Sequence, residues 1–191
     1  SPLGIDVGAS TLAAAALEAS SVRMLLHPAH PTVVLRTDRG LLGGPDLWAL
    51  AAQSPALAVH RWKYLLGRAL AARTARAHAG AAGLSLADLD GAAAVALGGT
   101  ALDVADLAAA ALRAVPQSLE RESLRPGPCL FAVPHTFARP QIQSLLDAAR
   151  RAHIDARGTV RDLAALAAAT VEPGSGELFL LGDLGASRPN V

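Results

Sequence analysis

A single cysteine, Cys129, stands among 191 residues. That excludes an internal disulfide framework and fits a reducing compartment. It lies in the apolar run Cys129-Leu130-Phe131-Ala132-Val133, where a buried strand residue is expected rather than a reactive thiol. Aromatic residues are 3% of the chain, so the core must be built from Ala, Leu and Val. Net charge is +1, which removes the electrostatic case for a nucleic-acid partner or an anionic membrane. No uncharged apolar run reaches the ~20 residues that a membrane helix needs. No basic region precedes an apolar stretch as in a signal peptide, and a cytoplasmic location is expected. The start at Ser1 rather than Met reads as a processed or partial chain. What is plentiful is apolar surface: at 52% apolar, the chain can bury the core of one domain or two small ones.

Five residues occur twice. Asp6-Val7-Gly8-Ala9-Ser10 follows the first apolar run, and Asp183-Leu184-Gly185-Ala186-Ser187 follows the last. Both copies suit a phosphate cradle. An aspartate at a strand end can hold a hydrated Mg²⁺, a glycine lets the backbone turn and approach a ligand closely, and the next N–H groups and the serine hydroxyl can face phosphate oxygens. The alternative is two strand-ending turns, because Asp-x-Gly is frequent in turns. Two near-identical copies after apolar strands point to two facing halves of one nucleotide site.

Leu3 to Val7, Thr11 to Glu18 and Val22 to Leu26 read as an antiparallel meander, the second strand being assigned by its place after a glycine turn despite its alanines. His27-Pro28-Ala29-His30-Pro31 reads as a loop. Its two histidines lack the third ligand that a metal site needs. Thr32 to Arg36 reads as a strand, and Asp38-Arg39-Gly40 and Gly43-Gly44-Pro45 as turns. Val59, Trp62, Leu65, Leu66 and Ala69 fall at helical spacing, predicting one helix from Pro55 to about Ala79. Its basic residues Arg61, Lys63, Arg68, Arg73 and Arg76 read as a solvated face carrying one functional lysine. Ala79 to Gly83 reads as a linker. Asp90-Gly91 and Gly98-Gly99 bracket a short strand, Ala92 to Leu97. Asp103 suits the N-cap of a helix to about Val115, with Val104, Leu107, Ala108, Ala111, Leu112 and Val115 inward. Pro116 would weaken that helix, and Glu120 to Pro128 reads as a loop. Leu130 to Val133 reads as a strand stopped by Pro134. A helix opened by Pro140 runs to about His153, with Ile142, Leu145, Leu146 and Ala149 inward. Asp162 can cap a last helix, Leu163 to Thr170, and Leu178 to Leu181 is a final strand.

This layout resembles that of actin-like ATPases: a meander, a small insert, helices and a strand, then a second Asp-x-Gly loop. Gly4-Ile5-Asp6-Val7-Gly8-Ala9-Ser10 resembles the first phosphate loop of the seventy-kilodalton heat-shock chaperones, the DnaK family. Lys63-Tyr64-Leu65-Leu66-Gly67-Arg68 resembles that family's lysine-bearing helix. Phe131-Ala132-Val133-Pro134-His135-Thr136-Phe137, with Gln141 following, resembles its valine-proline-alanine-tyrosine-phenylalanine segment. Arg161 to Thr170 falls where the family carries its asparagine-glutamate-proline helix. Leu181 to Ser187 resembles the second phosphate loop.

The resemblance implies an α/β fold: one ribonuclease-H-like lobe with a mixed five-stranded sheet flanked by helices, plus a small inserted α+β subdomain. Residues 1–30 and 101–172 would form the ribonuclease-H-like part, 31–100 the insert, and 173–191 the first strand and phosphate loop of a second lobe. It implies ATP or ADP with Mg²⁺ as ligands, with unfolded peptide clients and co-chaperones as partners. Asp6 and Asp183 would order Mg²⁺ through water. Gly8, Ala9, Ser10, Thr11, Gly185, Ala186 and Ser187 would lie against phosphates, and Lys63 would reach the γ-phosphate and the attacking water. Phosphoryl transfer is mostly positioning and charge neutralisation, so two carboxylates and one lysine suffice in outline. In this family the adenine and ribose lie mainly against the second lobe, so the chain alone is expected to bind ATP poorly and to be inactive.

Departures from the family pattern keep a second reading open. Ala9 removes a hydroxyl that the family carries. Ala186, Ser187 and Arg188 replace two glycines and a threonine, and the Cβ of Ala186 narrows the approach to phosphate. Arg161 falls at about the place of the family's glutamate, with Asp162 beside it, and His135 and Thr136 replace an alanine and a tyrosine. These changes suit a degenerate, non-hydrolysing module serving as a protein-interaction scaffold. A sugar kinase or bacterial actin relative shares the loops but needs neither the lysine-bearing segment nor the valine-proline segment.

Overall fold

A computed structural model describes residues 1–19, 21–44 and 47–170, the side chains of 27–29 apart. The first three strands, β1 (Leu3–Val7), β2 (Thr11–Glu18) and β3 (Ser21–Pro31), form a meander. Two short hairpin strands follow, β4 (Val34–Thr37) and β5 (Gly40–Gly43), then helix α1 (Leu47–Gln53) and β6 (Ala58–Val59). A 3₁₀ turn at Trp62–Leu65 leads to α2 (Arg73–Ala82). Next come β7 (Leu86–Leu89), β8 (Ala92–Leu97) and β9 (Thr100–Leu102), then α3 (Val104–Leu112) and α4 (Ala114–Arg121). The described chain closes with β10 (Cys129–Val133), α5 (Arg139–Arg151), β11 (Ala156–Arg161) and α6 (Asp162–Thr170).

The protein is mixed α/β. Its main sheet has the order β11-β10-β1-β2-β3, antiparallel across the meander and parallel from β1 through β10 to β11. Two three-stranded antiparallel sheets, β5-β4-β6 and β7-β8-β9, lie between β3 and α3 in sequence. The Arg36 guanidinium ties them together by donating to the Leu97 carbonyl at 2.7 Å.

The alternation of β1 sets the two faces of the main sheet. Leu3, Ile5 and Val7 are buried with Leu12, Ala14, Phe131 and Val133 against the face that carries α3 and α5. Gly4 and Asp6 point the other way. There an apolar trough of about 600 Å³ has a floor of Gly4, Ala13, Ala15 and Ala132, and Ala165 and Ala169 of α6 stand at its side. The alanines of β2 are poor strand formers alone. Ladder bonds on both sides override that weak preference.

Every residue of helix α3 except Asp106 is buried, Ala109 and Ala110 included. One face was expected; the second arises because the small sheets pack on its outer side. Contact there is backbone to backbone, and a Cβ on Gly43 would overlap the Ala110 carbonyl. The Asp103 carboxylate caps the helix, accepting from the Ala105 N–H at 2.9 Å, and also accepts from Arg151 of α5 at 3.1 Å.

Several expectations need correction. Pro55 to Ala79 is not one helix: Arg61 (φ 56°) and Gly67 (φ 58°) are left-handed and bracket the 3₁₀ turn. Trp62 and Leu65 are nonetheless buried, because a spacing of three serves a 3₁₀ turn as well, and Val59 is buried as part of β6. Ala79 to Gly83 is the end of α2, closed by left-handed Gly83, not a linker. The segment His27 to Pro31 continues β3 rather than forming a loop. β3 is an edge strand with an irregular register, where proline is tolerated. The helix expected to Val115 stops at Leu112, because the Pro116 ring would clash with the carbonyl four residues back, that of Leu112. β11 and α1 were not anticipated. Leu178 to Leu181 and the second Asp-x-Gly loop lie outside the described residues. Among the described residues no helix is long and apolar enough to cross a membrane.

Candidate functional site

The parallel strands β1, β10 and β11 end at one edge of the main sheet, a usual place for ligands in α/β folds. Asp6 stands exposed near the end of β1. Gly8 to Thr11 then turn the chain into β2, closed by the Gly8 N–H donating to the Thr11 carbonyl at 2.8 Å. A Cβ on Gly8 would sit 2.6 Å from that carbonyl oxygen, so only glycine permits the turn.

Thr32 braces this loop from behind. Its hydroxyl donates to the Ala9 carbonyl at 3.1 Å and its N–H to the Ser10 carbonyl at 3.0 Å. The Thr32 carbonyl in turn accepts from the Trp62 indole at 2.8 Å. Thr32 and Trp62 are each 1% exposed. Lys63 follows Trp62 directly, and the loop and the lysine-bearing turn are thus joined by a short buried chain of hydrogen bonds.

Lys63 is the one lysine of the chain, every other basic side chain being arginine or histidine. It is buried to 7% exposure, with its Nζ 5.9 Å from the Tyr64 ring centre and 5.8 Å from that of Phe137. At these distances both ring faces attract the ammonium. Tyr64 meets Phe137 edge-on and stacks on His78. The five basic residues therefore do not share a solvated face: Lys63 is buried, and Arg68 is tied to the Tyr64 carbonyl at 2.6 Å and to Thr74.

Arg161 ends β11 and donates to the carbonyls of Pro134, at 3.0 Å, and Phe137, at 2.9 Å. It staples the segment after β10 that carries Phe137 to Lys63. Gln141 opens α5 by accepting from the Ala138 N–H at 2.8 Å. Asp162 begins α6, its carboxylate accepting from the Leu163 N–H.

Of the expected site residues, Asp6, Gly8, Ala9, Ser10 and Thr11 come together at the carboxyl end of β1; the turn bearing Lys63 is tied to that loop through Trp62 and Thr32, and the Lys63 ammonium itself lies against Tyr64 and Phe137. Asp183, Gly185, Ala186, Ser187 and Arg188 lie outside the described residues. Asp6 suits a hydrated Mg²⁺, which asks for one or two carboxylates rather than a protein cage. Among the described residues no group of three His, Cys, Asp or Glu side chains could hold a metal directly. Cys129 is fully buried at the start of β10, and burial, with Asp155 nearby, pushes its thiol up to about 12, so it is inert at neutral pH. Thr32 and Trp62 were not singled out from sequence, because their roles run through backbone carbonyls. The lone lysine was the readable signal.

Burial holds His60 below its usual 6.5, and burial together with the Arg68 cation does the same for His78. Both folded values lie below the unfolded ones. Their contribution to stability is therefore present above the unfolded value and lost as pH falls through the folded values. The urea midpoint is expected to fall as pH drops below about 6.5, and His78→Gln should flatten that fall. An unchanged slope in the variant would remove His78 from the account.

No protein-family model and no curated protein sequence matches the chain.

Proposed function

We propose that this chain is the first lobe of a DnaK-like, actin-type nucleotide-binding domain that holds the phosphates of Mg·ATP or Mg·ADP. In this reading residues 1–30 and 101–172 are its ribonuclease-H-like part, 31–100 the insert, and 173–191 the start of the second lobe. Peptide clients and co-chaperones follow from the resemblance alone. The observation that carries the reading is the shared edge of the main sheet. Asp6 and the Gly8–Thr11 turn stand there, and the turn bearing the only lysine is tied to that loop through Trp62 and Thr32, on a sheet whose strand order and directions suit that fold. Asp6 would order the metal through water, the loop amides would face phosphate, and Lys63 would neutralise charge on the transferred group.

The test is calorimetric titration of the full-length protein with Mg·ADP and Mg·ATP, beside Asp6→Ala and Lys63→Ala. A saturable heat that Asp6→Ala abolishes is expected. No heat in the parent protein at millimolar nucleotide would sink the reading.

One observation favours the non-hydrolysing alternative. Arg161, near the place of the family's glutamate, spends its guanidinium on the carbonyls of Pro134 and Phe137. It holds the loop and supplies no carboxylate to metal-bound water. Nucleotide binding without turnover would separate this module from a working ATPase.

A further inference from the structure

We infer that Thr32 and Trp62 are positioning residues for the phosphate loop; this rests on the nucleotide-binding reading. A trans peptide points its carbonyl and its N–H in opposite directions. Thr32 takes the Ala9 carbonyl with its hydroxyl and the Ser10 carbonyl with its N–H. The N–H groups of Ser10 and Thr11, the partners of those carbonyls in the same peptide planes, are thereby turned away from Thr32. Two successive amides so aligned make a concave anion site of the kind that binds phosphate. In this chain the loop has few glycines to set its own shape: Ala9, Ser10 and Thr11 all follow Gly8. Its orientation is imposed from behind instead.

Trp62 extends the device. Its indole fixes the Thr32 carbonyl, so both polar groups of the Thr32 backbone and its hydroxyl are engaged. The next residue is Lys63, whose side chain is held against Tyr64 and Phe137. Loop amides and lysine therefore keep one register before any ligand arrives, and preorganised charge costs no rearrangement on binding.

The test is Mg·ADP titration of the full-length protein as the parent and as Thr32→Val, Thr32→Ser and Trp62→Phe, with thermal unfolding of each. Thr32→Val keeps the shape and the backbone bonds but loses the hydroxyl. An affinity loss of about tenfold is expected, as for one buried hydrogen bond with its orientation effect. Thr32→Ser restores the hydroxyl and should bind within about twofold of the parent. A merely structural role would lower the melting temperature of Thr32→Val without that hydroxyl-dependent rescue of affinity. If the parent binds and Thr32→Val binds equally well, this inference falls and the nucleotide reading stands. If the parent does not bind, both fall. If Thr32→Val fails to fold, Trp62→Phe decides: weaker binding at unchanged stability supports the relay, and parental affinity overturns it.

Discussion

Phe131→Ala is expected to lower stability by about 3–5 kcal/mol, against less than about 1 kcal/mol for Leu130→Ala next to it. The two residues are neighbours on β10, yet Phe131 is fully buried under α3 and α5 whereas Leu130 is 50% exposed on the trough face. Removing the ring leaves a cavity in a core with few other aromatics to close it, since the chain has only three phenylalanines. The melting temperature should fall by roughly 10 °C in the first variant and barely in the second. Chemical denaturation of the pair checks this, and a larger loss for Leu130→Ala than for Phe131→Ala would mean that the two faces of the sheet have been assigned the wrong way round.

Gly67→Ala should cost about 3 kcal/mol, and Gly83→Ala only about 1 kcal/mol. Both glycines are left-handed, at φ 58° and 68°. A Cβ on Gly83 meets nothing, whereas one on Gly67 would overlap the Pro140 carbonyl and approach the Gln141 amide. The extra cost is the collision, because the backbone term is common to both. Gly67 also closes the turn that carries Lys63, so the collision presses the lysine-bearing segment away from α5. Urea unfolding measures the difference directly. Equal costs would show that the turn yields without strain and that Gly67 is kept for its dihedral angles alone.

Much of the main sheet was legible. The meander followed from two strand-like runs around a glycine turn, and the Asp90-Gly91 and Gly98-Gly99 pairs placed β8 between hairpin turns, as observed. β11 was not legible. Ala156-Arg157-Gly158-Thr159-Val160-Arg161 has no apolar alternation, and its pairing with β10 at the sheet edge makes it a strand. The segment from Pro55 to Ala79 misled because burial at a spacing of three does not tell an α-helix from a 3₁₀ turn between two left-handed residues. At the candidate site, aspartate, glycine and lysine declared themselves by type. Thr32 and Trp62 did not, since nothing in a local stretch says whose carbonyl a hydroxyl or an indole will meet thirty or so residues away.

The alanine helix α3 and the bare edge of Gly43 against it have an evolutionary consequence. Ala105, Ala108, Ala109, Ala110 and Ala111 are buried with almost no side chain to give up. Drift at these positions runs mainly toward added atoms, for which a packed layer has little room. The sequence of this layer is therefore held by exclusion rather than by attraction.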